Sequence, residues 1–179
     1  MFVLSQPVSH RDHIQGLPSA VMTLVKYGDY QCLDSAKAHS IIQEIQQQFN
    51  SQLCYAFRHF PCADIHPQAQ QAAEAAEAAA KQGKFWEMHD LLFAHQHALK
   101  DGDLAEYAAR LKLDVMQFLR EMSGDVHVQR VQEDIDSGIQ SGVYRTPTFF
   151  INSLRYDGAD DKESLIAALI RNQSLGINS

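Results

Sequence analysis

The chain alternates between short apolar runs and apolar residues at helical spacing. Val21–Val25 is a nearly continuous apolar run, which is typical of a strand covered on both faces. The helix predicted after it repeats apolar residues at intervals of three and four and ends at Asn50. A second strand is predicted over 52–60, before Pro61. A strand, a helix and a strand in this order predict a parallel pair joined by a right-handed crossover.

Residues 65–142 show only helical spacing. Their five apolar faces predict five helices, of which the first is rich in alanine and the last carries Val128, Val131, Ile135 and Ile139. A hairpin turning at Asn152-Ser153 and a helix opened by Asp160 or Asp161 are predicted to close the chain, and residues 1–20 are predicted to be irregular. The pattern therefore predicts an α/β core, residues 1–64 and 143–179, with an inserted helical subdomain at 65–142.

Composition narrows the classes of partner and compartment. The chain has 179 residues and a net charge of −7, which argues against nucleic acid or an anionic membrane as a partner. It has no apolar stretch of membrane-spanning or signal-peptide length, and three cysteines are too few for a disulfide framework. We therefore expect a cytoplasmic location.

A zinc site is the alternative use of the cysteines and histidines. Cys54, His59, Cys62 and His66 have spacings that suit a site with two cysteines and two histidines. Strand alternation argues against it, because Cys54 and His59 would face opposite sides of the sheet. The sequence therefore predicts no metal site.

Cys32 is the candidate nucleophile. It follows the first strand and a tight Gly28-Asp29 turn, in the first turn of the predicted helix. Unpaired backbone N–H groups and the helix dipole favour a thiolate at such a position. Ser35, one turn later, either donates a hydrogen bond to that thiolate or only caps the helix, and both readings stay open. The carboxylate of Asp34 repels a developing thiolate.

Several motifs, taken in order along the chain, carry a resemblance to one known family. They are Tyr27–Cys32, Phe57–Pro61, His66-Pro67, Gly83–Asp90, Gly142–Asn152 and Arg155–Gly158. Over Val21–Gly158 the chain is similar to the DsbA-like branch of the thioredoxin superfamily, and the resemblance implies a thioredoxin-like core with an inserted helical subdomain. One departure is important: where the family usually has Cys-Pro-Tyr-Cys, this chain has Cys32-Leu33-Asp34-Ser35. The resolving cysteine is missing.

The resemblance also implies roles for individual residues. Pro147 is expected to be cis and to face the reactive cysteine, and the backbone of Thr146 is expected to pair with the substrate chain. Leu33 and Asp34 are expected to contact substrate beside Cys32.

The expected activity is that of a cytosolic, single-cysteine thiol-disulfide oxidoreductase. Cys32 would attack protein or small-molecule disulfides and form mixed disulfides, and an external thiol such as glutathione would release them. No tightly bound cofactor is expected, and the chain would be a monomer or a homodimer.

Two other classes of function stay open. A glutathione-dependent transferase or isomerase would use Ser35 to activate the glutathione thiol, and tight binding of glutathione to a Cys32→Ala protein would identify it. A non-catalytic binding module would bind extended peptides whether or not Cys32 is present.

Cys62 also has two readings. It is either a small apolar filler behind Pro61 or a displaced resolving thiol, because the predicted crossover places the end of the second strand at the same sheet edge as Cys32.

Overall fold

The computed structural model describes residues 2–175, which form one mixed sheet and seven α-helices. This confirms the predicted α/β fold class. The strand order in the sheet is β1-β3-β2-β4-β5. The strands are β1 (His13–Gln15), β2 (Met22–Gly28), β3 (Leu53–His59), β4 (Thr148–Ile151) and β5 (Leu154–Tyr156). The helices are α1 (Leu33–Phe49), α2 (Ala69–Lys81), α3 (Phe85–Ala94), α4 (Asp101–Arg110), α5 (Val115–Ser123), α6 (Val128–Gln140) and α7 (Lys162–Leu175).

The described residues pack as two compact units. The first contains the residues up to Gly28, Lys37–Arg58 and the described residues from Ser137 onward, and the second contains Asp29–Ala36 and His59–Asp136. This division describes which residues pack together. The predicted insertion at 65–142 describes instead which residues are added to a thioredoxin-like core, so it stays a prediction.

In the first unit, the lead-in contains a strand that the sequence pattern did not predict. β1 pairs antiparallel with β3, with His13 opposite Phe57. Three residues are too few to show alternation, so no periodicity marked this strand. Asp12, directly before β1, forms a buried ion pair with Arg58 of β3, in which Nε of Arg58 donates to Oδ1 of Asp12 at 2.7 Å.

The other end of the first unit follows the prediction more closely. β4 and β5 form the predicted hairpin, and its turn residues Asn152 and Ser153 have φ of 46° and 68°, as a tight two-residue turn requires. α7 begins after Asp161, whose Oδ1 accepts from the backbone N–H of Ser164 at 2.9 Å. Asp161 is therefore the predicted helix cap.

The second unit contains all or part of six helices, α1 to α6. In the alanine-rich α2, burial extends around most of the helix, because Ala75 and Ala78 are fully buried along with Ala72 and Ala76. In α6, which continues into the first unit, the predicted apolar face was partly wrong, because Ile139 is 60% exposed whereas Asp134 is buried. Asp134 is buried because its Oδ2 accepts from the backbone N–H of His59 at 2.9 Å and its Oδ1 binds Nη1 of Arg130 at 2.5 Å.

Candidate active site

Cys32 lies directly before α1, at the end of the turn that follows β2. Its N–H donates to the carbonyl oxygen of Asp29 at 3.2 Å, and its own carbonyl accepts from the N–H of Ala36 at 3.2 Å, the first hydrogen bond of the helix. The sequence placed Cys32 within the first helical turn, whereas it is the residue that precedes it. It therefore occupies the N-cap position of α1, next to the backbone N–H groups of the first helical turn. Its relative exposure is 9%.

The loop before Cys32 is fixed by Gln96, which lies after α3. Nε2 of Gln96 donates to the carbonyl oxygens of Tyr30 and Cys32, at 2.8 Å each. The ring of Tyr30 packs against Phe93 with centroids 4.8 Å apart, and its hydroxyl bonds Nδ1 of His89 at 2.8 Å. The backbone that presents Cys32 is thus bound from two sides within the second unit.

Asp29 joins this loop to the turn that contains Cys62 and His66. Oδ1 of Asp29 accepts from the backbone N–H of Gln31 at 2.7 Å. Oδ2 accepts from the backbone N–H of Cys62 and from Nδ1 of His66, both at 2.8 Å. The Asp29 side chain is fully buried, and His66 is 23% exposed. Cys62 is half-buried, and its thiol donates to the carbonyl oxygen of Phe60 at 3.7 Å.

Sequence reasoning assigned no function to Asp29, His66 or Gln96. The Gly28-Asp29 turn carried one usable signal, because an aspartate there commonly accepts from the N–H two residues later, as Asp29 does from Gln31. Nothing in the sequence placed His66 or Gln96 near this turn, because both contacts bridge more than 30 residues.

Ser35 is fully buried, and its Oγ accepts from the backbone N–H of Asp29 at 3.3 Å. This contact fastens Ser35 to the turn before α1, and the two predicted roles of its hydroxyl stay predictions. The two residues between Cys32 and Ser35 face solvent, and Leu33 is 71% exposed. Leu33 and Asp34 are therefore accessible to a substrate bound at Cys32, and their predicted role remains a prediction.

Thr146 and Pro147 belong to the first unit. Their peptide bond is cis, the isomer that the resemblance implies. Pro147 is buried and Thr146 half-buried, directly before β4. Their roles in substrate binding remain predictions.

Cys54 differs from the other two cysteines in its surroundings. It lies within β3 and is 1% exposed. Burial, and then the negative charge of Asp12, raise the pKa of the Cys54 thiol. Both effects disfavour the thiolate, so Cys54 is a poor nucleophile.

A cysteine directly before the helix that follows a central strand, together with a cis-proline before a neighbouring strand, defines the class of thioredoxin-like proteins. The sequence model of the family described as Thioredoxin matches residues 9–170, so the chain belongs to this family. The structural matches that follow show that its fold is the one found in DsbA-like proteins.

Solved structures share the fold over almost the whole chain. BdbD from Bacillus subtilis in its oxidised form is 22% identical, with a TM-score of 0.84 over 97% of this chain and 98% of that chain. A thioredoxin-like oxidoreductase from Silicibacter pomeroyi is 22% identical, with a TM-score of 0.82 over 93% and 94%. The alpha-DsbA1 of Wolbachia pipientis is 19% identical, with a TM-score of 0.80 over 97% and 96%.

Curated relatives with higher identity are much longer proteins. The Na(+)/H(+) antiporter NhaA 3 of Salinispora tropica is 44% identical over 160 residues, which are 89% of this chain and 24% of the relative. The antiporter NhaA 1 of Mycobacterium sp. (strain KMS) is 43% identical over 93% of this chain and 28% of the relative. The chain thus spans about a quarter of the length of these relatives. Among residues 2–175, no helix combines the length and apolar character needed to cross a membrane.

Proposed function

We propose that this chain is a thiol-disulfide oxidoreductase in which Cys32 attacks a disulfide and forms a mixed disulfide with the substrate. The thiolate sulfur of Cys32 bonds to one substrate sulfur, and the other substrate sulfur leaves as a thiol. Because position 35 holds a serine, the partner thiol of a Cys-x-x-Cys pair is absent. A thiol from outside this motif must then release the substrate, and glutathione is the candidate in the expected cytoplasmic location.

The observation that carries the proposal is the placement of Cys32. It directly precedes α1 on a loop held by Asp29 and Gln96, with a buried serine one turn further on. Fixed backbone N–H groups at a helix start are the means by which a protein makes a cysteine nucleophilic. Leu33, which follows the thiol, is exposed, so an extended or unfolded protein segment is the substrate class that we propose.

The test is turnover of a disulfide-bonded peptide with and without glutathione. We expect the wild-type protein to turn over the peptide repeatedly when glutathione is present, and to react with about one equivalent of peptide, through a mixed disulfide at Cys32, when glutathione is absent. Cys32→Ser should abolish both. Cys54→Ser is the matched control, because it removes a buried thiol of raised pKa and should leave turnover unchanged. Full turnover by the Cys32→Ser protein would overturn the proposal.

The same proteins separate this proposal from the transferase reading. Tight binding of glutathione to Cys32→Ala, lost on a further Ser35→Ala change, would favour a glutathione-dependent transferase. The contact of the Ser35 hydroxyl with the backbone of Asp29 argues for the oxidoreductase, because it gives that hydroxyl a structural task.

The names of the curated relatives describe antiporters about four times as long as this chain. The proposal for this chain therefore concerns only the thiol chemistry of the matched segment.

A further inference from the structure

The turn after β3 presents Cys62 and His66 on one face. The backbone N–H of His66 donates to the carbonyl oxygen of Cys62 at 2.9 Å, which closes one helical turn. Side chains four residues apart in such a turn point to the same side. A half-buried cysteine and a histidine that is 23% exposed thus lie on one side of a short turn of the second unit.

Asp29 fixes the orientation of this imidazole. The three hydrogen bonds of the Asp29 carboxylate come from N–H groups, those of Gln31, Cys62 and His66. Because the carboxylate accepts, the ring hydrogen of His66 lies on Nδ1 and Nε2 is the basic nitrogen. Within residues 2–175, Nε2 of His66 has no hydrogen-bond partner. A carboxylate that orients a histidine beside a thiol is the arrangement that activates cysteine nucleophiles.

We propose that Cys62, His66 and Asp29 form a second nucleophilic thiol site, which resolves the mixed disulfide formed at Cys32. The inference rests on the proposed function of Cys32. Nε2 of His66 takes the proton of the Cys62 thiol, and the Cys62 thiolate attacks the sulfur of Cys32. The bond between Cys32 and the substrate breaks, and the substrate leaves as a thiolate that takes the proton from His66.

The electrons balance over the whole reaction. Two electrons pass from the thiols of Cys32 and Cys62 to the substrate disulfide, which leaves as two thiols, and the two cysteines become joined. Two molecules of an external thiol of the glutathione class then reduce the Cys32–Cys62 disulfide and are themselves oxidised. The external thiol thus restores the thiols of Cys32 and Cys62. It also competes with Cys62 for attack on the mixed disulfide at Cys32.

The backbones of both cysteines are hydrogen-bonded to one residue. Cys32 N–H donates to the carbonyl of Asp29 at 3.2 Å, and Cys62 N–H donates to its Oδ2 at 2.8 Å. A disulfide requires Cα atoms within about 7 Å, and the Cys62 thiol now points to the carbonyl of Phe60. The turn must therefore move to bring the sulfurs together. Its residues 63–65 are exposed, so this movement costs little buried surface.

The first experiment measures the lifetime of the mixed disulfide without external thiol, by mass spectrometry of protein loaded with a disulfide-bonded peptide. The wild-type protein should release the peptide and acquire a Cys32–Cys62 linkage. Cys62→Ser should lengthen the lifetime at least tenfold, and His66→Gln severalfold. His95→Gln is the matched control, since His95 bonds the carbonyl of Leu91 within its own helix end, and it should change nothing.

The outcomes separate the two proposals. A mixed disulfide that forms at Cys32 but decays equally in the wild-type and Cys62→Ser proteins overturns the resolving role and leaves the proposed function standing. Absence of any mixed disulfide at Cys32 overturns both.

The second experiment tests the activation of Cys62 in a Cys32→Ser background. His66→Gln should slow alkylation of Cys62 severalfold near neutral pH and move the pH profile of its rate upward. Asp29 and Asp64, the carboxylates of the two turns, are kept in both proteins, and His95→Gln should leave the profile unchanged. Equal rates of Cys62 alkylation in urea, with and without His66→Gln, would show that the difference in the native protein depends on the folded turn. An unchanged profile in His66→Gln would contradict the activation.

Discussion

At the scale of single residues, the three cysteines are distinguished by their surroundings. Cys32 lies before a helix, Cys62 lies in an exposed turn beside an oriented histidine, and Cys54 lies within a strand. Burial, and then the charge of Asp12, raise the pKa of Cys54. The same chemical group therefore lies in three different surroundings in one small chain.

The first prediction follows from this difference. Iodoacetamide near neutral pH should label Cys32 and Cys62 well before Cys54, because the raised pKa of Cys54 leaves little thiolate and because its side chain is 1% exposed. Peptide mapping after timed labelling would measure the order. In urea the three rates should converge, which is the control for intrinsic differences. Labelling of Cys54 first in the folded protein would contradict this prediction.

The sequence predicted a site residue only where the residues next to it in the chain form a recognisable pattern. Cys32 and Ser35 were recognised because a strand, a Gly-Asp turn and a helix occupy neighbouring positions in the sequence. Asp29 belongs to that turn, but its hydrogen bonds with Cys62 and His66 join residues more than 30 positions apart. Contacts of that kind depend on how the elements pack, which periodicity does not encode.

At the scale of elements, the sequence predicted the helices better than it predicted their buried faces or the short strand β1. The five helices of 65–142 were predicted from their spacing, and all five are present. The buried face of α6 was partly wrong, because Asp134 is buried through its bonds to His59 and Arg130. Apolar spacing cannot identify a carboxylate whose burial is compensated by specific partners.

The second prediction concerns the start of α1. Ser35→Cys should create a vicinal dithiol with Cys32, since positions 32 and 35 lie on one face of the helix start, and it should raise disulfide-exchange activity without external thiol. Ser35→Ala is the control. It should not raise activity and should lower the free energy of unfolding by about 1 kcal/mol, through loss of the bond to the Asp29 N–H. Activity of Ser35→Cys equal to that of Ser35→Ala would count against the site.

The third prediction concerns the end of β2. A Cβ on Gly28 would lie 2.7 Å from Cε2 of Phe57 and 3.1 Å from Cε of Lys26, so Gly28→Ala should lower the free energy of unfolding by about 1–3 kcal/mol. Gly102→Ala is the matched control. Position 102 lies in α4 with nothing within 4 Å of a Cβ, so that change should be neutral or stabilise by up to about 1 kcal/mol. Urea unfolding of both variants would measure the contrast, and an equal effect at the two positions would contradict it.

At the scale of the whole molecule, the predicted fold class is confirmed, whereas the cytoplasmic location stays a prediction. The net charge of −7 and the absence of long apolar segments led to the expectation of a cytoplasmic protein without membrane partners. The relatives that share more than 40% identity are antiporters of which this chain spans about a quarter. No local pattern within the matched residues carries information about the unmatched parts of those relatives.

The last prediction concerns the stability of the folded protein in acid, to which the carboxylate of Glu121 contributes. Burial alone would raise the pKa of Glu121, but hydrogen bonds from His127 and Gln117 outweigh burial, and the folded-state pKa lies below the ordinary value of 4.5. Because the pKa of Glu121 is lower in the folded protein than in the unfolded chain, its carboxylate stabilises the folded protein above about pH 4.5. This contribution is lost as the pH falls through the folded-state pKa. Glu121→Gln keeps an acceptor for His127, 2.7 Å away, and removes the titration.

Urea unfolding of the wild type and this variant should therefore differ most above about pH 5, and the difference should shrink below about pH 4.5. Glu87→Gln is the matched control. The pKa of Glu87 is also lowered, through its hydrogen bond with Lys84, but both side chains are more than 40% exposed and solvent screens their interaction. Its pH-dependent difference should be much smaller. A difference for Glu121→Gln that stays constant through this pH range would show that its carboxylate does not couple folding to protonation.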